Sequence, residues 1–202
     1  MLATAAPATS DRSDFRTVTL GGAELGVATT VAVVAFLATS RLVPLTAGLR
    51  DGVGALIVLA AGLVVAFLPA QWTAARSTEG IAGAAAMGLV ATVVFSALDI
   101  VLLRPFKAYP WTWDAIGGGS TWWYLPVWWM LGTFLAWMGG IVTAASGETT
   151  LARRALPAVA GTIIVTAVGL LAGVPVALPV ATGGAFTLLL AALALVALAR
   201  KG

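Results

Sequence analysis

The sequence predicts an all-α integral membrane protein, a six-transmembrane-helix bundle with a Trp-rich extracytoplasmic loop between helices 3 and 4. Three observations carry that prediction. First, 60% of the 202 residues are hydrophobic and only 9% are charged, whereas a soluble domain carries about 25% charged residues to hydrate its surface. Second, six apolar runs follow one another, each with the ~20 residues that a helix rising ~1.5 Å per residue needs to cross ~30 Å of hydrocarbon. Third, no run alternates polar with apolar residues as a membrane β-strand does, and open strands cannot satisfy their backbone in lipid.

Residues 1–20, "MLATAAPATSDRSDFRTVTL", form a polar N-terminal tail without the apolar region of a signal peptide. Residues 21–202 form the six-helix transmembrane domain, with segments at Gly21–Ser40, Gly52–Ala70, Ile81–Leu103, Thr121–Ala145, Leu156–Val174 and Val180–Ala199. Glu24 is expected in the first turn of the first helix. Asp51 is expected just before the second helix, and Ser77 with Glu79 at the start of the third, where acids meet the positive end of the helix dipole. Gly147 is placed as the C-cap of the fourth helix and Pro157 near the first turn of the fifth. The uncharged link "PVALP", Pro175–Pro179, is short enough to make the last two helices an antiparallel hairpin.

Basic residues set the expected orientation. Arg12, Arg16, Arg76, Arg153, Arg154, Arg200 and Lys201 fall on one side, against Arg41, Arg50, Arg104 and Lys107 on the other. The positive-inside rule therefore puts the N- and C-termini in the cytoplasm. The Ala-, Gly- and Arg-rich usage points to a bacterial inner membrane.

Small residues recur at four-residue steps, a spacing that keeps them on one helix face and lets backbones approach. Gly80, Ala84 and Gly88 mark such a face on the third segment. Gly132, Ala136 and Gly140 do so on the fourth, and Gly169 with Gly173 on the fifth. These are the expected helix-packing positions.

Six of the eight tryptophans lie in "WTWDAIGGGSTWWYLPVWWM", Trp111–Met130. Indole is apolar but has an N–H that needs a partner, so it concentrates at headgroup depth. Trp111, Trp113, Trp122 and Trp123 read as such a belt. Trp128, Trp129 and Trp137 lie deeper. Consecutive helical residues point ~100° apart, so Trp128 and Trp129 face different neighbours. Together the seven form the expected contact surface for a partner or an apolar ligand. Asp99 is the one acid well inside an apolar run, and Arg104 is near enough in sequence to pair with it or to serve with it in a proton relay.

The chain has neither His nor Cys. Thiolate chemistry, cysteine or histidine metal sites and a histidine acid–base are thereby excluded, so no metal site and no catalytic constellation is expected. Basic residues are scattered and form no stripe for a phosphate backbone, so nucleic acid is not an expected partner. The expectation is a non-catalytic membrane subunit that packs within, assembles or stabilises a larger membrane complex. Its contacts would be membrane lipids, other subunits, and a non-covalent lipid, quinone or carotenoid pigment at the Trp-rich face. A small-solute channel or transporter is the alternative, with Thr30, Ser96, Asp99, Thr133, Thr143, Thr162 and Thr187 as its polar route.

Overall fold

The computed structural model describes residues 12–42, 44–103, 124–147 and 149–200. Six helices are long and apolar enough to cross a membrane, and no strand occurs among the described residues. They are α1 (Phe15–Arg41), α2 (Ala47–Trp72), α3 (Thr78–Leu98), α4 (Tyr124–Ala145), α5 (Leu151–Leu171) and α6 (Leu178–Ala199). A π-helical turn, Asp99–Leu103, extends α3.

Capping chemistry, rather than hydropathy, decides where the helices begin. The Asp14 carboxylate accepts from the Thr17 backbone N–H at 3.0 Å, so α1 starts six residues before its apolar run. This moves Glu24 into the third turn, away from the first turn where the sequence placed it. Thr46 occupies the N-cap position of α2, which puts Asp51 inside the helix as its fifth residue. The Thr150 hydroxyl accepts from Arg153 N–H, so α5 starts at Leu151 and Pro157 falls in the second turn. At α3 the expectation and the structure agree, because Ser77 Oγ accepts from the N–H groups of Glu79 and Gly80.

Thr17 Oγ1 and N–H both donate to Asp14, and these bonds hold the Asp14 carboxyl below its ordinary value of 3.8. A depressed carboxyl stabilises the cap at pH above 3.8, and the contribution is lost as pH falls through the lowered value. Amide exchange at Thr17 and Val18 is therefore expected to accelerate selectively below pH ~3.8, and Asp14→Ala should remove the pH dependence. Equal acceleration in both proteins would count against it.

Two helices end in the same six-residue motif. At the end of α5, Val174 N–H donates to Gly169 O and Gly173 N–H to Leu170 O, with Gly173 at φ +70°. Gly173 is thus a C-terminal cap, and a Cβ at Gly169 would meet open space. The expected Gly169/Gly173 packing face is corrected on both counts: a glycine near a helix end satisfies the left-handed cap before it satisfies a stripe. At the end of α2, Ala75 N–H donates to Ala70 O and Ala74 N–H to Gln71 O. Here a non-glycine, Ala74, sits at φ +50°. A Cβ in that conformation costs roughly 1–2 kcal/mol, so Ala74→Gly is expected to stabilise the protein by about 0.5–1 kcal/mol in a thermal-shift measurement.

Helix α2 touches all five others, and α1, α3, α4, α6 and α5 follow in an arc around it. The α1–α3 and α3–α4 contacts are the most extensive. Glycine makes both possible. A Cβ on Gly26 would come within 2.7 Å of Ala91 O, and one on Gly88 within 2.6 Å of both Gly132 O and Ala136 Cβ. A Cβ on Gly132 would collide with Thr92 Cγ2, and one on Gly139 with the Ala66 carbonyl of α2. Gly140 approaches Ile81, and Gly80 and Ala84 are buried. The larger core, with Phe67, Leu135, Phe186 and Leu190, fills the space between α2, α4 and α6.

Candidate functional site

Trp128 and Trp129 near the start of α4 and Asp99 just past the end of α3 lie at one end of the bundle, because α3 ends where α4 begins. Trp128 packs edge-on against Phe95, with ring centroids 5.7 Å apart and an interplanar angle of 75°, a geometry in which the positive ring edge meets a negative face. Trp129 is partly buried, and its Nε1 has no hydrogen-bond partner among the described residues. The adjacent indoles differ as their ~100° separation requires. Trp137, two turns further on, is 48% exposed on the outside of the bundle.

One turn beyond Phe95, Asp99 is 3% exposed and opens the π-helical turn. Its N–H is shared between Phe95 O and Ser96 O, a three-centre bond common at helix ends. Arg104, Trp111, Trp113, Trp122 and Trp123 lie outside the described residues. The expected Asp99–Arg104 pair and the outer Trp belt therefore lie there as well.

The polar side chains expected to mark a solute route are mostly bonded within their own helices. Thr30 Oγ1 donates to Gly26 O, Ser96 Oγ to Thr92 O, Thr162 Oγ1 to Ala158 O and Thr187 Oγ1 to Gly183 O. Each hydroxyl is satisfied four residues back along its helix and needs no water file. The buried Thr143 hydroxyl, by contrast, has no partner among the described residues.

An apolar cleft of about 230 Å³ lies between α1 and α2, lined by Ala28, Thr29, Ala32, Ile57, Ala60 and Ala61 among others. Its walls are short side chains, which is what an acyl or isoprenoid chain needs for close contact. Sequence reasoning missed it because it depends on how two helices lie against each other, and no residue type marks that. Gly139 was missed as well: it lies one residue off the 132–136–140 face, yet it makes the tightest approach to α2.

These elements define a multi-pass, all-helical protein suited to a membrane, with aromatic side chains at one end of the α3–α4 pair and no group of three or more His, Cys, Asp or Glu able to hold a metal among the described residues. No family model, curated protein or solved structure matches the chain.

Proposed function

We propose that this chain is a non-catalytic subunit of a larger membrane complex, held in a bacterial inner membrane with both termini in the cytoplasm. Its Trp-rich outer end and its α1–α2 cleft are the surfaces for a partner and for an apolar lipid, quinone or pigment. The observation that carries this reading is the closure of the bundle by direct backbone approach, Gly26 on Ala91 O, Gly88 on Gly132 O and Gly139 on Ala66 O. Such contacts leave no room for water where α1 meets α3, α3 meets α4 and α4 meets α2 at these glycines, and they favour a rigid packing element over a solute pathway. The self-bonded hydroxyls of Thr30, Ser96, Thr162 and Thr187 point the same way. With neither His nor Cys in the chain, a nucleophile–base pair of the usual kind cannot be assembled.

The test is isolation of the tagged protein at native abundance in mild detergent, with mass spectrometry of co-purifying proteins and an absorption spectrum of the same sample. Stoichiometric partners, or a chromophore absorbing beyond the tryptophan band, are expected. A lone, colourless protein whose proteoliposome flux falls on Asp99→Asn or Trp129→Ala would replace this reading with a channel.

A further inference from the structure

Helix α4 turns its small residues inward and two polar groups outward. Gly132 and Ala136 meet α3, and Gly139 meets the Ala66 carbonyl of α2. Helical positions two residues apart point ~200° apart, so Trp137 faces away from α2 and is 48% exposed. Thr133, partly exposed, and Met130, 72% exposed, share that outward face one and two turns earlier. We propose that this face pairs the chain with a second copy of itself, the Trp137 Nε1–H of each copy donating to Thr133 Oγ1 of the other. The pairing goes beyond the complex reading and does not depend on it, since only this chain takes part.

Two observations carry the proposal. The first is unmet hydrogen bonding at mid-depth. At ~1.5 Å per residue, Trp137 lies ~18 Å from one end of the Leu125–Ala145 span and ~12 Å from the other. An exposed indole belongs at headgroup depth, where polar groups meet its N–H. Here the surroundings are hydrocarbon, and neither Trp137 Nε1 nor Thr133 Oγ1 has a hydrogen-bond partner among the described residues. Other threonines of the spanning helices, such as Thr29, Thr39 and Thr187, donate to the carbonyl four residues back. An acyl chain offers no acceptor and water is absent at this depth, so whatever covers the face must bring one.

The second is that the face complements itself. An indole N–H only donates, whereas a hydroxyl also accepts. Copies inserted in one orientation are related by a two-fold axis along the membrane normal, which sets their α4 helices parallel and level. In such an isologous contact residue 137 of one copy meets residue 133 of the other, and the reverse. Long helical side chains lean toward the N-terminus of their helix, so Trp137 reaches back over the turn that holds Thr133. One symmetric contact thus forms the bond twice, and the flexible, polarizable Met130 fills the space beside it.

The full chain has no cysteine, so a single Met130→Cys substitution reports on this face alone. Oxidative cross-linking in native membranes should give a covalent dimer with Met130→Cys and none with Ile164→Cys, a position 61% exposed in the middle of α5. Labelled protein diluted into liposomes and counted by single-molecule photobleaching should pass from dimer to monomer as lipid increases. Trp137→Phe, which keeps a ring, and the nearly isosteric Thr133→Val should each weaken the dimer about eightfold, since each removes two bonds worth about threefold apiece in a bilayer. The double variant should be no weaker than either single one, because all three lack the same two bonds. Melting temperatures at dilutions where the parent is monomeric establish that each variant is folded, and the Met130→Cys cross-link tests the face with both residues intact. An additive loss of about sixtyfold in the double variant would overturn the proposal. So would equal cross-linking with Ile164→Cys, a monomer at every dilution, or cross-links from Met130→Cys to other proteins only.

Discussion

Gly139→Ala is expected to lower stability by about 3 kcal/mol, the upper end of what overpacking costs, and to broaden the elution profile of the purified protein. The added methyl would be driven into the Ala66 carbonyl. That atom is helix backbone and cannot rotate aside, so α2 and α4 must separate along their contact. Without a hydrophobic force between helices in lipid, close van der Waals contact is most of what holds such a pair together. Gly169→Ala is the control. A Cβ there meets open space, and alanine is the better helix former by up to about 1 kcal/mol, so its melting temperature should be unchanged or higher. Equal losses in the two variants would show that glycine contributes through backbone flexibility and not through contact.

The second large effect is at Phe67, 1% exposed and packed in the core with Leu135, Phe186 and Leu190. Phe67→Ala is expected to cost about 2–3 kcal/mol, less than the 3–5 kcal/mol of the same change in a soluble core. Separated helices in a bilayer expose Phe67 to lipid and not to water, so the transfer contribution disappears and lost packing remains. Phe15, 86% exposed at the start of α1, gives the comparison, since its replacement by alanine should change stability by less than about 0.5 kcal/mol. A Phe67→Ala loss as large as in soluble proteins would mean that the unfolded state exposes this core to water.

The number and type of helices were legible because length and hydropathy depend on composition over ~20 residues, which no local detail overrides. The helix starts were less legible. Asp14 and Thr150 lie in polar sequence, and their side chains begin α1 and α5 ahead of the continuous apolar runs. The small-residue spacing located one face of α3 and one of α4, where Gly88, Gly132 and Ala136 do meet. Spacing along one helix carries no information about which neighbour that face will find, so Gly139 was overlooked and Gly173, a cap, was misassigned. That Trp128 and Trp129 point in different directions follows from helix geometry alone. The α1–α2 cleft was invisible to sequence, because it depends on how two whole helices lie against each other and no residue type records that.

The attachment of α5 has a consequence for how the protein is made. It lies chiefly against α6, with a smaller contact to α2, while α6 reaches α2 and α4. The first four helices share their closest glycine contacts among themselves, at Gly26, Gly88, Gly132 and Gly139. As the chain emerges from the ribosome, α1 to α4 can make these glycine contacts with one another before the last two helices are released. The last hairpin then joins through α6, whose Phe186 and Leu190 complete the core against α2 and α4. Truncation after Gly147 should therefore leave an insertable four-span core, whereas loss of α1 would strip α3 of a principal neighbour from the outset.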